Sequence, residues 1–351
     1  MVLAALVSRR IRGASSSSPL QKNWEILLLN ETAARKFYPL EVSSLLVGRI
    51  PSLNLYIRRE EDPEPILFRS ASVPLSPQEA QELAANNIHH LWLPERDYDV
   101  YQRFLAQFLP ILILDPNLPV RAKCSITYDY SIQAMRQAFD SNDTRKVIET
   151  SKEMLKHVIA VLFSDERATH NFIVLASTDY ALFSHSVNVC LFGMALARRA
   201  LGISEETAME EFGPGLLLHD IGKLKIPREI LEKEGKLTLE ERQLIKTHPE
   251  TGLEMVRDFM TVTPEVESIL LHHHERLDGS GYPFGLNGKY ISTHARICAI
   301  VDIFDAISTD RPFQKRKSTF ETFQVMRKEL SNRIDEKLLN EFIRLFQSPD
   351  E

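Results

Sequence analysis

The amino-acid sequence predicts a small α+β region in its N-terminal part, followed by an all-α region. Up to about residue 115, short apolar segments bounded by turn residues alternate with helix signals. From Ser125 onward, apolar residues recur almost throughout with helical spacing. Pro110, Pro116 and Pro119 separate the two patterns, and a chain of 351 residues is long enough for two hydrophobic cores.

The α+β region contains strand and helix signals in alternation. Ser76 and Glu79 have the spacing of a capping box and Pro77 stands at the first helical position, so a helix is predicted to start there. A second helix is predicted over residues 98–108, and the three prolines are expected to close the region. Short apolar segments predict strands at residues 25–29, 53–58, 66–68 and 91–93.

The helical region divides into a connector and a domain that carries the chemistry. Residues 132–139 and 147–163 are predicted as amphipathic helices of a connecting bundle. A bundle of this kind suits either a dimer interface or plain packing, and both interpretations stay open. The predicted divisions are a flexible leader at 1–20, an α+β regulatory domain of unknown function at 21–117, a helical connector at 118–175 and the helical domain with the chemistry at 176–351.

The composition is that of a globular protein without general affinity for polyanions. Apolar residues make up 44% of the chain, charged residues make up 26%, and the formal net charge is -6. An acidic chain is not attracted to a nucleic-acid polymer or to an anionic membrane. The positive charge that a phosphate ligand needs must therefore be local.

Three features of the sequence predict a cytoplasmic protein. The longest apolar runs fall far short of the roughly 20 residues that cross a bilayer. Basic residues follow the short N-terminal apolar run instead of preceding it, which is the wrong order for a secretory signal. Cys124, Cys190 and Cys298 are widely spaced and odd in number, which argues against a disulfide framework and for a reducing compartment.

Histidines are concentrated in the second half of the chain, where seven of the eleven lie between His185 and His294. His185 belongs to a segment that is apolar nearly all round, which predicts a buried helix, and taken alone it fits a hydrogen-bonded core residue better than a ligand. His219 and Asp220 follow three leucines. A buried ionised carboxylate needs a partner, and aspartate with histidine suits Mn, Fe or Zn. Lys223 follows at the mouth of any such site, where it can hold a phosphate oxygen.

Two further segments add candidate ligands. His248 precedes a proline and is therefore expected at a helix boundary or turn. His272, His273 and His274 end a predicted helix, where neighbours point about 100° apart, so two of them can converge on one metal but three cannot easily do so. The loop at residues 279–283 follows, and its glycines permit a close approach of the backbone to a ligand.

A last apolar segment carries two carboxylates. Asp302 and Asp305 lie one turn apart on a predicted helix, so both need cations or donors, and we expect one to ligate and the other to orient. A basic run that includes Arg311 and Lys315 follows at once. Such a run is usually a solvated face, but after a ligand helix it serves equally well as a clamp for phosphates.

Three segments, in their order and spacing, closely resemble the HD-GYP subfamily of HD-domain metal-dependent phosphodiesterases. They are LLLHDIGKLKIPREILEKEGKLTLEERQLIKTHPETG, HHERLDGSGYPFGLNG and ARICAIVDIFDAISTDRPF. The resemblance extends from about residue 179 to about residue 346, nearly half of the chain. It implies an all-α HD-type domain that hydrolyses cyclic di-GMP to linear pGpG, and in some members on to GMP, in bacterial second-messenger signalling.

The resemblance also implies a site with two divalent metal ions, Fe or Mn. One metal would be held by His185, His219, Asp220 and Asp302, and the other by Asp220, His248, His273 and His274, with Asp220 and a water bridging them. Two such metals, about 3.5–4 Å apart, lower the pKa of the bridging water and clamp the attacked phosphorus and the departing oxygen. Lys223 and Asp220 are assigned as catalytic residues. The residues expected to contact the substrate are Lys223, Gly281, Tyr282, Arg311 and Lys315.

Two positions depart from the family pattern. Ala181 stands where members with a third metal carry a glutamate, which predicts two metals. Gln314 stands where relatives often have a basic residue, which weakens the expected hold on a nucleotide. Two alternatives therefore stay open: a receptor that binds cyclic di-GMP without turnover, and a hydrolase of another cyclic dinucleotide. The expected partner is a cyclic dinucleotide, and a homodimer and signalling partner proteins stay open.

Overall fold

A four-stranded sheet with two helices forms the N-terminal part of the described chain. The computed structural model describes residues 37–42, 53–59, 62–71, 73, 75–86, 88, 90–178, 184–233, 235–309 and 316–347. The strands are β1 (Phe37–Glu41), β2 (Leu55–Arg59), β3 (Asp62–Arg69) and β4 (His90–Pro94), in the order β1-β4-β2-β3. Strand β2 pairs antiparallel with both neighbours, so that Tyr56 lies opposite Leu67 on one side and Trp92 on the other.

Three of the four predicted strands are present, with bounds that differ from the predicted ones by a few residues. The fourth, at residues 25–29, lies outside the described residues. The sequence pattern does not predict β1, because Pro39 interrupts its short apolar run. Because β1 lies at the edge of the sheet, it tolerates Pro39, which has no backbone N–H to donate to a neighbouring strand. The strand still buries Leu40.

The two helices beside the sheet begin and end differently from one another. They are α1 (Pro77–Ala85) and α2 (Glu95–Leu112). Helix α1 starts with the predicted capping box, because Glu79 N donates to Ser76 Oγ at 3.2 Å and Glu79 Oε2 accepts from Ser76 N at 2.9 Å. Helix α2 contains Pro110 in its last turn and ends at Leu112, before Pro116 and Pro119. The missing amide costs only one hydrogen bond there, and Ile113 N still donates to Leu109 O at 3.0 Å.

The rest of the described chain is helical, and two short 3-10 helices lie at Ile221–Lys225 and Gly288–Tyr290. The α-helices are α3 (Val120–Asp140), α4 (Thr144–Ser164), α5 (Arg167–Thr178), α6 (His185–Leu201), α7 (Glu206–Leu218), α8 (Arg228–Leu231), α9 (Leu239–Ile245), α10 (His248–Arg257), α11 (Pro264–His272), α12 (Thr293–Ser308), α13 (Thr319–Glu329) and α14 (Glu336–Arg344). The predicted α+β part followed by an all-α part is therefore confirmed. Within the described ranges, no helix is long and apolar enough to cross a membrane.

Helix α6 is the centre of the helical part. Every residue from Val187 to Ala197 is buried, as the apolar sequence predicts. The helix packs against α3, α5, α7, α12 and α14. Its first residue is His185, so the most deeply buried helix carries a candidate ligand at its N-terminal end.

A cluster of phenylalanines joins α6 to the C-terminal helices. Its members are Phe192, Phe304, Phe323, Phe342 and Phe346, and neighbouring ring centroids lie 4.9–6.1 Å apart. Rings at these separations interact favourably beyond the burial of their area. The cluster seats α12, which carries Asp302 and Asp305, against α6, which carries His185.

Replacing Phe342 by alanine removes a fully buried ring that lies against the other four. We expect the free energy of unfolding to fall by about 3–5 kcal/mol, because burial is lost and a cavity remains. Urea unfolding followed by circular dichroism measures the change. The control is Phe320→Ala, because Phe320 is 70% exposed, and it should change the free energy by less than about 0.5 kcal/mol. Equal losses in the two variants would contradict the assignment.

Candidate metal centre

The turn after α7 places His219 and Asp220 at the end of a buried apolar run. His219 and the three leucines before it are fully buried, and a 3-10 helix starts directly after Asp220. A Cβ on Gly222 would lie 2.1 Å from His248 O, so only glycine allows this turn to approach the start of α10 so closely. The approach brings Asp220 Oδ1 within 3.2 Å of His248 Nε2.

Ligand-type side chains gather beside this turn in two groups. In each group, the candidate ligand atoms lie within 4.8 Å of one another. The first group consists of Asp220, His248, His273 and His274, and the second of His185, His219 and Asp302. The fold thus brings together all seven side chains that the sequence analysis names as metal ligands.

The Asp220 carboxylate lies between the two groups. Its Oδ1 is 3.2 Å from His248 Nε2 and 3.8 Å from His273 Nε2. Its Oδ2 is 3.5 Å from His219 Nε2 and 3.6 Å from His185 Nε2. The carboxylate therefore presents a different oxygen to each group, which is the arrangement that a bridging ligand needs.

The two carboxylates of α12 face different atoms. Asp302 Oδ1 lies 3.5 Å from His185 Nε2, and its Oδ2 lies 4.0 Å from His274 Nδ1. Asp305 Oδ2 lies on the other side of the His185 ring, 2.6 Å from Nδ1. Asp305 Oδ1 accepts a hydrogen bond from Asn188 Nδ2 at 2.9 Å. Asp302 thus faces the candidate ligands, whereas Asp305 holds the imidazole from behind.

Three further histidines are oriented by backbone carbonyls. Nδ1 of His219 donates to Leu216 O at 2.9 Å, Nδ1 of His248 to Ile245 O at 2.7 Å, and Nδ1 of His273 to Ile269 O at 3.0 Å. A carbonyl can only accept, so the ring proton must sit on Nδ1 in each neutral imidazole. The Nε2 lone pair of each ring is therefore directed into the centre, as in metal sites whose histidines are held by outer hydrogen bonds.

The atoms that face one another in the centre are acceptors. His248 Nε2 and His273 Nε2 lie 3.2 Å apart. His219 Nε2 and Asp220 Oδ1 are buried and have no hydrogen-bond partner among the described residues. Facing lone pairs in a buried site are unfavourable unless a proton or a cation lies between them. Mixed imidazole and carboxylate donors suit Fe, Mn or Zn, so these residues fit divalent cations.

Burial sets the protonation state of the histidines around Asp220. It lowers the pKa of His273 to about 3 and the pKa of His274 well below the ordinary value, and it also lowers the pKa of His248. These imidazoles are neutral near pH 7 and can donate a lone pair to a cation. Burial alone would raise the pKa of Asp220, but the charge of Lys223 helps to hold it well below its usual range.

The first of the three consecutive histidines does not join the centre. His272 Nδ1 lies 3.3 Å from Ser268 Oγ, and its ring packs against Phe284 with centroids 5.8 Å apart. Only His273 and His274 belong to a ligand group. The helical spacing of about 100° per residue accounts for this division.

The glycine-rich loop packs against the segment that carries the histidines. A Cβ on Gly281 would lie 2.4 Å from Glu275 Cα and 2.6 Å from His274 O. The space that the glycine leaves is therefore taken by the chain's own backbone, whereas the sequence analysis assigns it to a ligand. The buried Glu275 carboxylate accepts from Phe284 N at 2.7 Å and from Leu286 N at 2.9 Å, which anchors the loop.

Tyr282 and two lysines stand beside the ligand groups. The Tyr282 ring stacks on the His274 ring with centroids 4.6 Å apart and an interplanar angle of 26°. Lys246 Nζ lies over the same tyrosine, 5.3 Å from the ring centroid. Lys223 Nζ donates to Asp220 Oδ2 at 2.5 Å, and its side chain is 35% exposed. Lys223 and Lys246 therefore place positive charge beside the centre, although the chain as a whole has a net negative charge.

Some residues of the sequence analysis cannot be placed. Arg311 and Lys315, which are expected to contact substrate, lie outside the described residues, as do Ala181 and Gln314.

Glu275, Lys246 and Asn188 also contact the centre or the residues that hold it, and the sequence pattern alone does not indicate them. Glu275 and Lys246 stand inside the motif segments, within two residues of a candidate ligand, and this proximity was the available signal. Asn188 follows His185 by three residues on the same helix face, and this spacing indicates a contact only once the helix and its packing are known.

Gly222→Ala tests whether the close approach of the turn to α10 builds the centre. We expect the Mn²⁺ retained per chain after loading and desalting to fall severalfold, because a Cβ would push His248 away from Asp220. Elemental analysis measures the metal content, and circular dichroism checks that the variant is folded. The control is Gly235→Ala, where a Cβ would meet nothing within 4 Å. A folded Gly222→Ala variant with the metal content of the wild type would refute the prediction.

Several known proteins are similar to the part of the chain that carries the centre. The HD domain family model matches residues 194–338. A cyclic di-GMP phosphodiesterase of Pseudomonas aeruginosa is 36% identical over 225 residues, which cover 64% of this chain and 52% of that protein. A cyclic di-GMP phosphodiesterase response regulator of Xanthomonas campestris pv. campestris is 43% identical over 123 residues, which cover 34% and 32%. A 3'3'-cGAMP-specific phosphodiesterase of Vibrio cholerae is 39% identical over 166 residues, which cover 46% and 37%. The chain spans about half of the length of these relatives or less.

A solved structure shares the fold. An HDG"Y"P protein from Bdellovibrio bacteriovorus superposes with a TM-score of 0.59 at 19% identity, covering 89% of this chain and all of that one. The fold, the family match and the three motif segments agree with one another. Residues 194–338 therefore match an HD domain, and the chain carries three motif segments that resemble those of the HD-GYP subfamily.

Proposed function

We propose that this chain is a binuclear-metal phosphodiesterase that hydrolyses cyclic di-GMP to linear pGpG in bacterial second-messenger signalling. The observation that carries the proposal is the Asp220 carboxylate, which lies between two groups of histidine and carboxylate ligands. The relatives support the substrate class, because the Pseudomonas and Xanthomonas proteins are named cyclic di-GMP phosphodiesterases.

Two divalent cations, Fe or Mn, would be held by the side chains of the two groups. One would take His185, His219, Asp220 and Asp302, and the other Asp220, His248, His273 and His274. Bound there, the cations would polarise a phosphoryl oxygen and lower the pKa of water at the site. The chain's own contribution is orientation, because the carbonyl-bound imidazoles keep their Nε2 atoms aimed at the centre.

Two lysine side chains and one tyrosine hydroxyl would hold the phosphates of the substrate. Lys223 contacts Asp220 and is still partly exposed, so we assign it to the scissile phosphate, where its ammonium would neutralise charge that develops on the oxygens. Lys246 lies over Tyr282, and we assign it to the second phosphate. Burial, with Asp220 and Asp302 nearby, raises the pKa of Tyr282. The phenol therefore keeps its proton and can donate to a phosphate oxygen.

Three further assignments belong to the same proposal. We keep Arg311 and Lys315, beyond α12, as additional phosphate contacts. Gly281 would act by letting the loop that presents Tyr282 lie flat on the segment of His274. Asp220 and Lys223 would be the catalytic residues.

A second substrate is favoured by one relative. The Vibrio cholerae protein, 39% identical over 166 residues, is named as specific for 3'3'-cGAMP. The two cyclic dinucleotides share the ring of two phosphodiesters and differ in one base, so the centre described above would serve either. A panel that contains both substrates under identical conditions decides between them.

Asp220→Asn tests the proposed function directly. We expect Mn²⁺- or Fe-loaded wild type, kept under reducing conditions, to convert cyclic di-GMP to pGpG, as measured by chromatography. The variant should lose more than about a hundredfold in rate and retain less metal, because an amide lacks the charge to join two cations. The control is Asp258→Asn, an exposed carboxylate at the end of α10. Wild type that holds two metals and binds cyclic di-GMP without cleaving it would replace the proposal by a receptor function.

Lys246→Gln tests the second phosphate contact. We expect KM for cyclic di-GMP to rise about tenfold while kcat changes little, because a charge-assisted contact to the non-reacting phosphate is lost. Steady-state kinetics at fixed ionic strength measure both constants. Lys236→Gln makes the same charge change at an exposed position and should leave KM unaltered. An equal rise in both variants would show a general electrostatic effect instead of a contact.

A further inference from the structure

A buried chain of hydrogen bonds runs from helix α3 to the imidazole of His185. Tyr128 Oη donates to Asn188 Oδ1 at 2.7 Å, and Asn188 Nδ2 donates to Asp305 Oδ1 at 2.9 Å. Asp305 Oδ2 then meets His185 Nδ1 at 2.6 Å. Tyr128 is 4% exposed, Asn188 is fully buried and Asp305 is 2% exposed, so solvent does not substitute for these contacts.

The direction of each hydrogen bond in this chain is determined by chemistry. Only the amide nitrogen of Asn188 can donate to the Asp305 carboxylate, so its amide oxygen must face Tyr128. The phenol of Tyr128 satisfies that oxygen, which in a buried position would otherwise be left unpaired at a substantial cost. Ser184 Oγ, 3.3 Å from Asn188 Nδ2, adds a further contact to the same amide. The amide orientation therefore sets the position of Asp305, and through it the ring of His185.

This support differs from that of the other histidines. His219, His248 and His273 each donate a hydrogen bond to a carbonyl of their own local backbone. His185 instead contacts the side chain of Asp305, which lies 120 residues away in the chain. Tyr128 also lies well before residues 194–338, which match the HD family. The preceding helical segment thus contributes to the position of one candidate ligand.

We propose that Tyr128 and Asn188 are positioning residues for the group of His185, His219 and Asp302, and that they set the affinity of this group for its divalent cation. The inference rests on the proposed function, since it concerns a cation that this function requires. Neither residue belongs to a ligand group. They act through Asp305, which holds the His185 ring so that Nε2 faces Asp220 and Asp302.

Binding of Mn²⁺ to the full chain, counted by electron paramagnetic resonance at buffered free Mn²⁺, tests the inference without substrate. We expect wild type to bind two ions, and Tyr128→Phe to weaken one of the two by about threefold to tenfold with little change in the other. Asn188→Asp keeps an acceptor for Tyr128 but turns a carboxylate towards Asp305, and it should weaken the same ion by about ten- to a hundredfold. The control is Tyr130→Phe, which removes a hydroxyl from a buried tyrosine on the same helix, beside His157.

The outcomes separate positioning from mere packing. Selective loss at one site in Tyr128→Phe and Asn188→Asp, with both sites intact in Tyr130→Phe, supports the inference. Wild-type affinities in both test variants overturn it, as does an equal weakening of both sites together with a lower melting temperature of the metal-free protein. Wild type that binds two Mn²⁺ but cleaves no cyclic dinucleotide would overturn the proposed function, and the affinity comparison would still decide the inference. Wild type that binds neither Mn²⁺ nor, by elemental analysis, iron would overturn both.

Discussion

The near-complete burial of the Asp220 carboxylate, whose side chain is 12% exposed, is the constraint on which the rest of the centre depends. Asp220 ends a run of fully buried leucines, and desolvation of its charge is unfavourable by several kcal/mol unless partners compensate. The partners that converge on it are imidazoles held as acceptors, which cannot compensate a negative charge by themselves. Lys223 supplies one positive charge at one oxygen. The other oxygen faces His248 and His273, and a cation at that place satisfies all three acceptors at once.

Two glycines allow the backbone segments that carry the candidate ligands to lie close together. At Gly222 and at Gly281, a Cβ would fall within 2.5 Å of another backbone segment, so each marks a place where two chain segments touch without side chains between them. The first contact joins Asp220 to the helix of His248, and the second lays the tyrosine loop on the segment of His274. Gly281 and Tyr282, which belong to the glycine-tyrosine-proline motif, thus have separate physical roles. Gly281 permits the close packing of the loop, and the ring of Tyr282 covers the ring of the candidate ligand His274.

Sequence reasoning reaches the ligand candidates but not the contacts that hold them. The seven metal-ligand candidates could be named because each is a polar residue in an apolar setting, or stands in a motif whose order and spacing are specific. The α+β part followed by helices was predictable from periodicity, whereas β1 was not, because Pro39 breaks its pattern. Tyr128, Asn188 and Asp305 meet across 60 and 117 residues of chain. Contacts of that separation leave no local pattern, so only the packing of α3, α6 and α12 reveals them.

The histidines of the centre therefore differ in how they are held. The imidazoles of His219, His248 and His273 each donate a hydrogen bond to a backbone carbonyl three or four residues earlier. Their orientation therefore depends only on the local helix turn. The ring of His185 has no such local anchor among its described contacts and instead depends on side chains from two other helices. The outermost link of this support is the contact of Tyr128, on α3, with Asn188. Helix α3, which precedes the residues that match the HD domain, therefore contributes a buried contact to the side chains that hold His185.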